Sequence, residues 1–356
     1  MDQKSLVGKV QTVLGLIDGQ LLGKTSCHEH ILWDMSTYFQ ETATATERGL
    51  AHQPVSLDNL WWVRANPNSN LDNQVQTDEQ LAIRELLRFK YAGGGTLVEL
   101  SPLGMARDPA GLARVARATG LNIVMGCGYY VGQSHPGDMD LKTEEVIAGE
   151  IARDIFEGVG DTGIHSGIIG EIGCSMPLTH NEEKVLRACA IAQRRTGAAI
   201  NIHPSIDDEA LLGNLRVLRE AGADLTRVAV SHVDGFGFNW ETRRKVLEMG
   251  CYLEFDGFGQ SIYHFLYMGR VANEDSDVKR IYDICKIIDM GYINQVLLAQ
   301  DFCFKCCLAS YGGYGYAHIL TNLQPFLRAK GVTEKQINTL LVENPRKLLE
   351  FVPAKE

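Results

Sequence analysis

Several things are scarce in this chain, and each absence removes a class of function. Nowhere do its 356 residues stay apolar for about 18 positions in a row, the length a bilayer-crossing helix needs. The opening segment Met1-Asp-Gln-Lys-Ser-Leu-Val-Gly-Lys-Val10 also lacks the apolar core of a secretory signal, so a cytoplasmic location is expected, without membrane partners. Positive charge is short as well. Lys and Arg number 34 against 44 Asp and Glu, a formal net charge of -10, which offers no basic field to nucleic acid or an anionic surface. No G-x-G-x-x-G follows the first apolar run, and no G-x-x-x-x-G-K-[ST] occurs, which removes the common nucleotide cradles. Gly93-Gly94-Gly95 reads instead as a helix-to-strand turn.

Nine cysteines, an odd number without framework spacing, suit free thiols in a reducing compartment better than disulfides. Cys303-Phe-Lys-Cys306-Cys307 has half the spacing of a structural zinc site. No second Cys or His pair follows it, and such sites need four ligands, so it is not read as one.

What is present is alternation. Eight short apolar runs are each followed by a helix-like stretch: 24–31, 95–101, 122–130, 167–173, 199–204, 227–233, 251–256 and 296–302. Continuous apolar runs of this length belong to parallel strands covered on both faces. Between them lie amphipathic segments such as Asp78 to Tyr91, with Leu81, Leu86 and Phe89, and Asn181 to Thr196, with Val185, Leu186, Cys189 and Ala192. The pattern predicts a (β/α)8 TIM barrel spanning residues 1–356 as a single domain, with chemistry at the C-terminal ends of the strands. Two excursions break the rhythm, Asp34 to Thr77 after strand 1 and Cys303 to Tyr316 after strand 8. Both are expected to overhang the catalytic face. Trp61 and Trp62 in the first either pack that loop onto the barrel or fill a subunit interface, which leaves a homodimer open.

The strand ends carry a constellation. Lys24-Thr-Ser-Cys-His-Glu-His-Ile-Leu-Trp33 sets His28 and His30 two positions apart, and in a strand such residues face the same side. Glu171 lies in the fourth run, His203 ends the fifth, His232 the sixth and Asp301 the eighth. Imidazoles with carboxylates suit zinc, and also manganese, cobalt or iron. Six ligands exceed what one tetrahedral ion takes, so two divalent ions are expected, able to generate a hydroxide between them and polarise the bond it attacks. Glu171 could instead be a structural anion beside a single-ion site.

These residues, with Gly8-Lys-Val-Gln-Thr-Val-Leu-Gly15, Gly167-Ile-Ile-Gly-Glu-Ile-Gly-Cys-Ser175, Ser231-His-Val-Asp234, Tyr311-Gly-Gly-Tyr-Gly-Tyr-Ala-His-Ile-Leu320 and Glu343-Asn-Pro-Arg-Lys-Leu348, resemble the phosphotriesterase family of the amidohydrolase superfamily. The likeness is strongest to its phosphotriesterase-related branch. It implies that His28, His30 and Asp301 hold a more buried metal, that His203 and His232 hold a more exposed one, and that Glu171 bridges them. Asp301 would also take the proton as hydroxide attacks. Position 171 departs from the best-known members, which bridge with a carbamylated lysine; a glutamate keeps the two oxygens and single negative charge but has a shorter reach.

By the same resemblance the substrate is a small molecule with a carboxylic amide, ester or lactone bond, and phosphotriesters would be at most accidental substrates. Tyr129 and Tyr130 would line the substrate pocket, while Gly257 stands where related lactonases tend to carry an arginine after the acid of strand 7. Lys305 is the candidate for holding an anionic substrate tail, unless it is simply a solvated loop charge. The alternative function is a small-molecule binding protein on a hydrolase barrel, against which the intact ligand set argues. A deaminase of the same superfamily would carry a His-Ala-Gly-Glu-type segment, which is absent.

Overall fold

The protein is described by a computed structural model covering residues 3–355 except 261, 263–264, 268–269 and 273–274. Eight strands in the described residues form one parallel sheet: β1 Lys24–Glu29, β2 Gly94–Glu99, β3 Asn122–Cys127, β4 Ile168–Gly173, β5 Ile200–His203, β6 Val228–Val230, β7 Tyr252–Phe255 and β8 Val296–Leu298. Their spatial order follows the chain from β1 to β8. The Asp301 N–H donates to the His28 carbonyl at 3.1 Å, which brings the end of β8 back to β1 and nearly closes the ring. This is the expected (β/α)8 barrel.

The strands are buried along nearly their whole length because both faces are covered, one by the barrel interior and one by helices. The barrel helices begin and end where local chemistry dictates. Helix α1, Glu79–Tyr91, starts at Asp78, whose carboxylate accepts from the Gln80 and Leu81 N–H groups, and it buries Leu81, Leu86 and Phe89. After α2, Pro109–Thr119, and α3, Glu144–Phe156, helix α4, His180–Thr196, opens with a reciprocal Thr179–Glu182 cap. It stops at Gly197, whose φ of 73° suits a residue without a Cβ. The ring continues with α5 Asp208–Glu220, α6 Trp240–Glu248, α7 Asp277–Asp289 and α8 Gln324–Ala329. Gly93, with φ 88°, makes the turn from α1 into β2.

Three expected strands end three or more residues early. The run 122–130 is strand only to Cys127, 227–233 only to Val230 and 296–302 only to Leu298. Apolarity continues beyond each end, but the backbone turns away from extended geometry: His232 has φ 56° and Asp301 φ 49°. Residues with side chains rarely take such angles unless their surroundings hold them there.

The two excursions meet over the barrel mouth. The first is not irregular throughout; it contains helical segments Ala45–Ala51, Leu60–Ala65 and Leu71–Gln74, and Trp33–Asp34 pairs with Val75–Gln76. Trp62 is buried, whereas Trp61 is 65% exposed. The second excursion is fastened to the first and to α1. The Lys305 ammonium lies 2.6 Å from Asp72, the Cys306 N–H donates to Asn73 at 3.0 Å, and Arg64 donates to the Gly312 carbonyl at 2.6 Å. The buried Glu85 of α1 accepts from the Ala309 and Ser310 N–H groups at 2.8 and 2.9 Å. A short hairpin, Phe265–Tyr267 with Arg270–Ala272, lies between β7 and α7 and has no counterpart in the sequence reading.

Candidate metal centre

The barrel brings the six candidate ligands together from five of its strand ends. His28 lies within β1 and His30 just past it; both are buried. Glu171 sits inside β4, where close packing demands glycine neighbours: a Cβ on Gly126 of β3 would lie 2.0 Å from the Gly170 carbonyl oxygen. His203 ends β5, and the turned-out backbone after β6 and β8 delivers His232 and Asp301.

Glu171 is the centre of this geometry because its two oxygens face different partners. Its Oε1 lies 2.8 Å from both His203 Nδ1 and His232 Nε2. Its Oε2 lies 3.6 Å from His28 Nε2 and 4.0 Å from His30 Nε2. Asp301 completes the second side, with Oδ1 3.0 Å from His30 Nε2 and 3.6 Å from His28 Nε2. His28, His30 and Asp301 form one grouping that could hold a metal ion, and His28, Glu171 and His232 another.

Chemistry and electrostatics both suit a cation here. His28 Nε2 is buried without a hydrogen-bond partner, aimed between Glu171 and Asp301, an arrangement that costs free energy unless the nitrogen serves as a ligand. Burial pushes the Glu171 carboxyl up, but the neighbouring His28 and His203 rings, with hydrogen bonds from His203 and His232, outweigh it and hold the group well below its ordinary range. Burial likewise raises Asp301, and the His30 hydrogen bond with the charges of His28 and His232 brings it down. Both carboxylates are therefore charged, and buried anions of this kind require positive partners.

The outward-facing histidine nitrogens are fixed from behind. His28 Nδ1 meets Glu254 and Ser231, each at 3.1 Å, and Glu254 is held in turn by Asn201 at 2.6 Å. His30 Nδ1 meets the Ser101 hydroxyl at 3.0 Å. His232 Nδ1 lies 3.1 Å from Asp256, whose other oxygen accepts from the His232 N–H at 2.9 Å. Such partners set the tautomer and ring orientation of metal-binding histidines.

A model of the phosphotriesterase family matches residues 8–349. The chain belongs to the phosphotriesterase family. It is 38% identical over 348 residues to the N-acetyltaurine hydrolase of Bos taurus, covering 98% of this chain and 99% of that protein. It is 38% identical over 366 residues to the enzyme of the same name from Dictyostelium discoideum, covering 97% of this chain and 99% of that one. Among solved structures, a resiniferatoxin-binding protein from Rhodobacter sphaeroides matches with a TM-score of 0.91 at 33% identity, covering 96% of this chain and 95% of that one. This phosphotriesterase-family chain is a hydrolase.

In this member of the phosphotriesterase family the candidate ligands open into a cavity walled on its apolar side by Met35, Tyr38, Tyr130, Phe236 and Phe304. Tyr130 lines it, with its hydroxyl 3.5 Å from His203 Nδ1. Two of the expected substrate contacts lie elsewhere among the described residues. Tyr129 is not among the described lining residues; its hydroxyl is hydrogen-bonded to Glu150 and accepts from Lys142 at 3.1 Å, because consecutive residues leaving a strand face opposite sides. Lys305 is also outside that set, drawn away by Asp72. Cys303 lines the cavity, while Cys306 and Cys307 are buried in apolar packing, and the three form no metal-holding group among the described residues. The sequence reading missed the supporting roles of Glu254 and Asp256. Strand alternation offered a signal, since both lie at the end of the seventh apolar run.

Proposed function

We propose that this hydrolase carries two divalent ions, most naturally zinc, and cleaves the amide bond of a small N-acyl amino compound such as N-acetyltaurine. The observation that carries the reading is Glu171, with one carboxylate oxygen against His203 and His232 and the other turned to His28 and His30. A single shared anion between two imidazole pairs fits a bridging ligand better than a structural acid. The curated relatives supply the amide.

Two divalent ions on these ligands would acidify a water and polarise the substrate carbonyl. The remaining work falls to the protein. Asp301, held as a carboxylate beside His30, accepts the proton released as water attacks. Asp256 and Glu254 keep the His232 and His28 rings pointed inward. Tyr38, Phe236 and Phe304 exclude bulk water from the reacting carbonyl and strengthen the charge interactions beneath it. Because the bridge is a glutamate, activation needs no carbon dioxide. Free thiols at all nine cysteines support a reducing, cytoplasmic setting. No described helix is long and apolar enough to cross a membrane.

Metal analysis together with turnover of N-acetyltaurine, a lactone and a phosphotriester tests the proposal. We expect close to two ions per chain, complete loss of activity on chelation, the amide as best substrate and no dependence on bicarbonate. In Glu171→Gln we expect loss of metal along with rate. A protein fully active with one ion, or a Glu171→Gln variant that keeps both ions and its turnover, overturns the binuclear reading.

A further inference from the structure

Among the described residues that line the cavity, Arg280 is the only lysine or arginine. It belongs to the first turn of α7, yet only 2% of its surface is exposed, and its guanidinium reaches across to the end of β7. Glycine makes this reach feasible: a Cβ at Gly257 would lie 2.2 Å from Arg280 Nη2, so any side chain there would displace the guanidinium. Gly257 directly follows Asp256, whose carboxylate holds His232, so the cation sits within a small molecule's length of the metal ligands.

The guanidinium is anchored by acids that stand outside the cavity lining. Arg280 Nε donates to Asp234 at 2.5 Å and Nη1 lies 3.4 Å from Asp277. Asp234 also accepts from the Asp256 and Gly257 N–H groups at 3.3 and 3.1 Å, and Asp277 is held by His318 at 2.7 Å and the Gly259 N–H at 3.1 Å. Neither acid is among the described residues lining the cavity. Such anchoring fixes the planar fork before substrate arrives, so little rotamer entropy is lost on binding an anion.

We propose that Arg280 is the specificity-determining residue of this site, binding the carboxylate or sulfonate of an anionic acyl amide through its guanidinium on the cavity wall, in the space that Gly257 leaves open. The inference rests on the amide-hydrolase reading for its substrate class, but the anion site can be tested separately. The competing account is that Arg280 only ties α7 to β7.

The test compares kcat/KM for N-acetyltaurine with that for an uncharged amide of similar size, in metal-loaded wild-type protein, Arg280→Gln, Arg280→Lys and Gly257→Ala. We expect the preference for the anionic substrate to fall about tenfold or more in Arg280→Gln, chiefly through KM, with partial recovery in Arg280→Lys. Gly257 has no left-handed φ, so Gly257→Ala should fold and displace the guanidinium, reducing the same preference even if Arg280→Gln is unstable. An equal loss on both substrates, or an unchanged preference, overturns the proposal. If the wild-type protein cleaves neither amide, the functional reading fails, and calorimetric binding of propanesulfonate decides the anion site. Binding lost in the variants supports it; no binding, or equal binding throughout, refutes it.

Discussion

The floor and the roof of the cavity are built by different rules. On the floor, candidate ligands from β1, β4, β5 and the turns after β6 and β8 converge within one buried cluster, and each of His28, His30 and His232 has its second nitrogen held by a neighbour. The roof is two loop segments joined by scattered bonds far apart in sequence, such as Lys305 to Asp72 and Arg64 to Gly312. The floor depends on charges that have no alternative to one another, whereas the roof is a set of replaceable contacts. Chemistry should therefore be intolerant of change below and tolerant above.

The sharpest way to break this contrast is Asp301→Asn. An amide can still offer an oxygen but cannot take a proton, so we expect kcat to fall by about 10²–10⁴-fold with the fold retained. A variant keeping more than about a tenth of normal turnover would make Asp301 a ligand only.

One layer behind, Glu254→Ala removes the acceptor for His28 Nδ1 and the partner of Ser231 and Asn201. Outer partners of this kind are worth about 10–100-fold in metal affinity. Competition with a chelator should show that loss, and an unchanged affinity would mean that Ser231 and Asp256 suffice to orient His28.

The floor also predicts a pH response. Burial pushes the Glu99 carboxyl up to about 7 and the Glu29 carboxyl up to about 8, from an ordinary value of 4.5. Between 4.5 and those values the folded protein keeps protons that the unfolded chain releases, so this stability is full at acid pH and is lost as pH rises through 7 and 8. The Tm of metal-free protein should decline across that window, and bound cations should flatten the decline. A Tm that does not decline across it would show that these two carboxylates do not keep their protons in the fold there.

The smallest effect belongs to the roof. Lys305→Ala removes the Asp72 pair, which is partly exposed, and should cost about 1 kcal/mol of stability or less. KM should stay within about twofold, since Lys305 is outside the described cavity lining. A large rise in KM would restore the anion-binding role its sequence position suggested.

The sequence was most legible where periodicity carries the information. Spacing of i and i+2 in an apolar run put His28 and His30 on one side, and the alternation of runs set the barrel order, because strand and helix geometry follow from local pattern. It was less legible where polar side chains choose among distant partners. For Lys305 the sequence leaves a substrate contact and a solvated loop charge both open, because it cannot show that Asp72, far back in the chain, claims the ammonium. Tyr129 and Tyr130 are adjacent in sequence, but alternation sends only Tyr130 to the cavity among the described lining residues. Arg280 had one signal, the glycine after Asp256, and its meaning depended on which residue would fill the space.

By itself, then, the amino-acid order determined an eightfold barrel and pointed to the six residues proposed to gather metal at its mouth, because ligand type and strand period are properties of short segments. Only the tertiary structure decided that one Glu171 oxygen faces each histidine pair, that Glu254 and Asp256 stand behind the rings, and that the cavity's cation comes from α7. Those outcomes depend on which side chains packing brings within hydrogen-bonding distance across hundreds of residues, and no local pattern encodes that choice.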